Sequence, residues 1–198
     1  MKVPVSFPPI ILASHSPRRA ELMRQAGLPF TVRLAGNADE LYPSNLQREE
    51  IPLYLAKLKA KAFVKNELIP DNAVLVTADT IVWIDNRVLE KPANRQQAIE
   101  MLEILSDNMH SVYTGVCLTS KHKQQCFYDE SKVFFRKLSL EEIEYYVDTF
   151  EPYDKAGAYG IQEWIGCTGI EKIEGSYHNI VGLPIAKLYQ KLKFWGIH

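Results

Sequence analysis

The stretch VLVTADTIVWI, residues 74–84, limits the fold more than any other segment of the chain. Nearly every position is apolar or β-branched, so it reads as a strand buried inside the protein. Asp79 nevertheless stands in the middle of it, and a carboxylate buried without a partner is expensive. One reading makes Asp79 a turn-capping residue where one strand ends and the next begins. The other makes it a carboxylate at the floor of a cleft, holding a divalent cation or taking a proton from water. As a hard oxygen ligand it would suit magnesium or manganese. The residue alone leaves both readings open.

Strand and helix patterns interleave around this segment. FPPIILAS predicts a short buried strand entered through two prolines. Ser16 then reads as an N-cap, Pro17 as the first helical residue and Gly27 as the stop, with Leu22, Met23 and Ala26 on one face between them. FTVRLAG is a second strand, followed by the polar loop NADELYPSN. From about Glu50 to Glu67 the period is helical, with Leu55, Leu58 and Ala62 inward. After residue 84, the turn signal Asp85-Asn86 and RVLEKP predict a hairpin. Asn94 and Gln97 open a helix over RQQAIEMLEILS, and Ser139 and Glu142 open another over EEIEYYVDTF. HSVYTGVCLTS and QCFYDESKVFFRKL are strands joined by the polar KHKQ. The loop DKAGAYGIQ leads to a strand near GIEKIEG, and LPIAKLYQKLKFW is a closing helix. The expected fold is α/β, a mixed sheet with helices packed on it.

A chain of 198 residues suffices for one sizeable domain, expected here over residues 1–198. Its 23 Lys+Arg against 24 Asp+Glu leave a formal net charge of -1, which offers no global field for nucleic acid or an anionic membrane. Neither is expected as a partner. Cys117, Cys126 and Cys167 have no C-x-x-C spacing, so neither a disulfide framework nor a structural zinc site is expected. The histidines form no H-x-x-x-H pair, and no apolar run reaches the roughly 18–20 residues of a membrane span. The N-terminal MKVPVSFPPIILAS makes a poor signal peptide, so the expectation is a soluble, reduced, cytoplasmic protein.

Four segments hold more polar function than packing requires. In LASHSPRRAEL a strand runs into a helix N-terminus, where backbone N–H groups and the helix dipole favour an anion. Arg18 and Arg19 oppose that dipole unless a phosphate sits there; otherwise they are solvated residues on a capped surface helix. Asp79-Thr80 is the second segment. Lys59, on a lysine-rich helix, and Lys91, held before Pro92, form the third, and each alone is equally a solvated charge. In DKAGAYGIQ, Ala156, Gly157, Ala158 and Gly160 permit close backbone approach to a ligand. Gln162 there offers both donor and acceptor to a nucleobase edge, or else lies in an ordinary turn. No P-loop, G-x-G-x-x-G or G-x-S-x-G motif is present.

LASHSPRRAEL, LAKLKAKA, TADTIV, LEKP, HSVYTGV, DKAGAYGIQ and GSYHNIVGLP, in this order, resemble the Maf family of nucleoside triphosphate pyrophosphatases. The resemblance implies an elongated, curved mixed sheet flanked by helices, with two lobes around a central cleft, as in inosine-triphosphate pyrophosphatases. It implies metal-assisted hydrolysis, with Mg2+ or Mn2+, of a nucleoside triphosphate to the monophosphate and pyrophosphate. Asp79 matches the family's catalytic proton acceptor. Arg18, Thr80 and Gln162 match positions of substrate choice, and Ser14, Arg19, Lys59 and Lys91 match further polar positions of the pocket. Glu40, in ADELYP, corresponds to an acidic residue of the metal site beside Asp79. AGAYGIQ resembles the branch acting on dTTP and UTP rather than on 7-methyl-GTP. One departure is Glu90, where the family often has Gly before Lys-Pro. The alternatives are a 7-methyl-GTP or modified-nucleotide pyrophosphatase, and a nucleotide-sensing regulator of septum formation without turnover. A homodimer is compatible with the resemblance.

Overall fold

The structure, a computed structural model, describes residues 6–34 and 41–195. Among them a seven-stranded mixed sheet is flanked by helices, in agreement with the sequence pattern. Strand β1 (Ile10–Leu12) lies parallel to both β2 (Phe30–Val32) and the first residues of β3 (Val74–Ile84). The path continues from β3 to β5 (Met109–Thr119), β6 (Gln124–Phe135) and β7 (Ile170–Glu174). The short β4 (Arg87–Leu89) pairs antiparallel with Val82, Trp83 and Ile84. Asp85 and Asn86 both take positive φ, 49° and 58°, as a two-residue hairpin turn requires.

Side-chain caps mark some of the helix starts. Helix α1 (Pro17–Gln25) follows Ser16, although that serine makes no side-chain capping bond. Helix α2 (Glu50–Asn66) buries Ile51, Leu55, Ala56, Ala60 and Phe63, while Leu58 and Ala62 are only half-buried, so the inward face is rotated from the one expected. Helix α3 (Arg95–Leu105) is capped by Asn94, whose side chain accepts from Gln97 N at 3.0 Å. Gln97 answers the backbone of Ala93 rather than that of Asn94. Helix α4 (Leu140–Phe150) has the full reciprocal capping box of Ser139 and Glu142. The short α5 (Trp164–Thr168) and α6 (Tyr177–Val181), which the pattern did not reveal, precede α7 (Ile185–Lys193). Among the described residues no helix is long and apolar enough to cross a membrane.

The chain divides into two compact units. The first holds described residues within Met1–Asp79, Thr114–Asp129 and Gly182–His198, and the second Thr80–Tyr113 and Glu130–Val181. In the first, Ile11, Ala60, Phe63, Ala73 and Leu75 form a core cluster. A Leu or Phe so buried contributes about 1.5–3 kcal/mol. A Cβ at Gly115 would lie 2.4 Å from the carbonyl carbon of Pro52, so only glycine lets α2 approach β5 this closely.

The cysteines require a correction. Cys117 in β5 and Cys126 in β6 form a disulfide, with Cα atoms 4.2 Å apart. Neighbouring strands bring residues nine apart in sequence opposite each other, a proximity that linear cysteine spacing does not reveal. Cys167 is free and exposed.

Candidate active site

Strand and helix periods together explain the position of Asp79. Thr77 and Asp79 project from the same face of β3, two residues apart. Thr77 Oγ1 donates to the Ala56 carbonyl at 2.7 Å and docks α2 on the strand. Lys59 lies three residues beyond Ala56, on the same helical face, and its ammonium meets the Asp79 carboxylate as hydrogen bond and ion pair. Asp79 is 8% exposed and Lys59 half-buried. The carboxylate therefore sits within a strand and against a cation, rather than at a turn.

The start of α1 forms the next part of the first unit. Ser14 Oγ accepts from Ser16 N and from Arg19 Nη1, both at 3.2 Å. Arg19 Nη1 also donates to the Ala78 carbonyl at 2.9 Å, and Arg19 Nε to the Gly182 carbonyl at 2.8 Å. Arg19 thus ties α1 to the strand residue just before Asp79. Arg18 lies half-buried beside it. Glu40 lies outside the described residues.

Thr80, Lys91 and Gln162 belong to the second unit, on three separate segments. Thr80 is half-buried in β3, Lys91 is exposed just beyond β4, and Gln162 is exposed on the turn before α5. Glu90 is exposed, and its carbonyl accepts from Gly157 N at 3.2 Å. Around Gln162 the structure adds groups that the sequence did not single out. Glu163 receives the Tyr146 hydroxyl on one carboxylate oxygen and Lys155 Nζ, 3.0 Å away, on the other. Burial, then the Glu163 hydrogen bond, push the Tyr146 phenol well above its usual range, so it remains a donor. Tyr146 was legible only as one of the apolar positions of α4, with Ile143 and Val147.

GSYHN proves to be a latch within the second unit. Asn179 Nδ2 donates to the Val112 carbonyl and to Ser131 Oγ, both at 3.0 Å. Ser131 Oγ in turn donates to the Ser176 carbonyl at 3.0 Å. Another missed group is His110 in β5, 1% exposed, with Nε2 2.8 Å from the Tyr159 hydroxyl. Burial pushes its imidazole down to about 3.

This arrangement belongs with a chain that matches known proteins along nearly its whole length. Residues 9–195 match the model of the Maf-like protein family, and the chain belongs to that family. A protein of Parabacteroides distasonis called dTTP/UTP pyrophosphatase is 52% identical over 184 residues, covering 93% of this chain and 94% of the relative. Proteins of the same name from Bacteroides thetaiotaomicron and Porphyromonas gingivalis are 53% and 46% identical, over 93% and 94% of this chain and 94% of each relative. A solved HAM1 protein from Coxiella burnetii superposes with a TM-score of 0.41 at 14% identity, over 64% of this chain and 72% of that one.

Proposed function

We propose that the chain hydrolyses dTTP and UTP to the monophosphate and pyrophosphate. The observation that carries this reading is the Asp79–Lys59 pair, fixed by the Thr77–Ala56 bond, in a chain 52% identical to a dTTP/UTP pyrophosphatase. Asp79 accepts a proton from water as its oxygen bonds to the α-phosphorus. The bond from that phosphorus to the bridging oxygen breaks, and pyrophosphate leaves with the electron pair. Arg18 and Lys59 meet phosphate charge, while Arg19 braces the strand beside Asp79. The positive end of the α1 dipole lies beside these arginines and favours a phosphate there. Thr80 and Gln162 take part in substrate choice, as does Arg18, and Lys91 meets phosphate charge. The Gln162 amide matches the imide N–H and carbonyl of thymine or uracil, and a base that leaves it unpaired loses several kcal/mol of transition-state binding.

A divalent cation fits this donor set. Magnesium is typically held by one or two carboxylates together with substrate phosphates and water. Among the described residues no group of three or more His, Cys, Asp or Glu side chains forms an all-protein cage. Asp79 supplies a hard oxygen, and Glu40 is the sequence-based candidate for a second. When bound, such a cation neutralises charge on the phosphates.

The test is pyrophosphate release from dTTP, UTP, CTP, GTP, ITP and 7-methyl-GTP, with magnesium or manganese. Release is expected from dTTP and UTP well ahead of the others. Stoichiometric binding without release would contradict hydrolysis, and preference for 7-methyl-GTP would contradict the assigned base.

A further inference from the structure

We propose that Glu163 is a positioning residue for Gln162 and thereby sets the base preference of the hydrolysis. This rests on reading Gln162 as the base-contacting residue. Gln162 is exposed between buried Ile161 and half-buried Glu163. An exposed glutamine on a short turn presents its amide in many orientations, and ordering it on binding weakens discrimination between bases. Here the next residue along the chain is clamped.

Glu163 occupies the N-cap of α5, but its carboxylate makes no capping bond to that helix. It folds back over Gly160 instead, where an added Cβ would lie 2.7 Å from Glu163 Cδ. A side chain at 160 would push the carboxylate out of this position. One oxygen accepts the Tyr146 hydroxyl, which itself accepts from Gly160 N at 3.0 Å. The other oxygen faces Lys155 Nζ at 3.0 Å, and Lys155 also pairs with Asp154 at 2.7 Å. Tyr146 is 0% exposed and rooted in α4, while the Lys155 side chain is 11% exposed. The turn is closed a second time through its backbone, by Glu163 N to the Gly160 carbonyl at 3.0 Å. Both ends of the 160–163 turn are therefore held by one buried hydroxyl.

Bonds to charged groups are the stronger ones, and this site has a carboxylate and an ammonium in a largely buried setting. The side-chain clamp fixes the peptide from which Gln162 projects, and small misplacements of a contacting group are costly in transition-state binding.

The test compares kcat/KM for dTTP and for CTP in the parent, Glu163→Ala, Glu163→Gln, Gln162→Ala and the Gln162→Ala/Glu163→Ala double variant. Glu163→Ala is expected to lower the dTTP:CTP ratio about tenfold, with KM for dTTP rising more than kcat falls. Glu163→Gln keeps an acceptor for Tyr146 and should recover most of the ratio. On the Gln162→Ala background, removing Glu163 should change the ratio no further, because the two act through one contact. If Glu163→Ala does not fold, Tyr146→Phe removes both bonds of that hydroxyl, to Glu163 and from Gly160 N, leaves the Lys155 contact, and should lower the same ratio about threefold. A ratio that falls equally on both backgrounds would overturn the inference. So would a parental ratio in Glu163→Ala when Gln162→Ala lowers it, an outcome that leaves Gln162 as base reader. A parental ratio in Gln162→Ala would instead remove Gln162 from base reading, and this inference with it.

Discussion

Asp79 in β3 and His110 in β5 are both less than a tenth exposed, yet their surroundings are of opposite kinds. Asp79 meets the ammonium of Lys59 and lies next to Ala78, whose carbonyl takes Arg19. His110 packs against the rings of Phe135 and Tyr159 and bonds only a phenol. A cation offsets the cost of burying a carboxylate, whereas a ring of aromatic carbon excludes charge altogether. Low exposure thus accompanies an ion pair in one strand and a neutral packing group in the other. Exposure alone does not distinguish the two residues; their partners do.

The largest effect should come from removing the cation. Lys59→Met leaves the Asp79 carboxylate without its ion pair and should cost roughly 3 kcal/mol, the low end for a buried pair because both side chains keep some exposure. Adding Asp79→Asn to that variant should restore most of the loss, as read by urea denaturation. Equal instability in the single and double variants would break the contrast between the two strands.

The second effect is a pH dependence. His110 has an ordinary imidazole value of 6.5 when unfolded and about 3 when folded, because of burial. Below 6.5 the unfolded chain binds a proton that the folded chain refuses. This contribution to stability is complete above 6.5 and is lost as the pH falls toward 3. At pH 5 the loss should reach about 2 kcal/mol, and His110→Gln should flatten it. Glu142, held at about 2 by Arg136 and then by the Ser139 N–H, stabilises above 4.5 and loses its share only below that, so it leaves the part of the His110 window above 4.5 clear. Parallel pH profiles for parent and variant would deny His110 this role.

The smallest effect is a control away from both groups. Ser139→Ala removes the capping box of α4 and should lower stability by about 1 kcal/mol, equally at pH 5 and pH 7. Ser16→Ala, at a helix start without a side-chain cap, should cost less.

Much of this was legible in the sequence because local periods carried it. The β3 boundaries, the Asp85-Asn86 turn and the Ser139 cap follow from patterns a few residues long. Asp79 was legible because a charge interrupts an apolar run. Lys59 was read with Lys91 as a candidate charge, but on a helix with several lysines the pattern did not pair it with Asp79, and only the Thr77–Ala56 bond aligns it. His110, Tyr146 and Glu163 escaped for a related reason. Each looks ordinary in its own segment and gains meaning from a residue between 17 and 49 positions away. The Cys117–Cys126 bond likewise depends on strand pairing rather than on cysteine spacing.

The most direct test of Asp79 is dTTP turnover by Asp79→Asn beside the parent, with thermal melts of both. A melt near that of the parent, together with a loss of about 10²–10⁴-fold in kcat, is the expected result for a positioned proton acceptor. Turnover at the parental rate by the folded variant would contradict it and leave the Asp79–Lys59 pair a purely structural one.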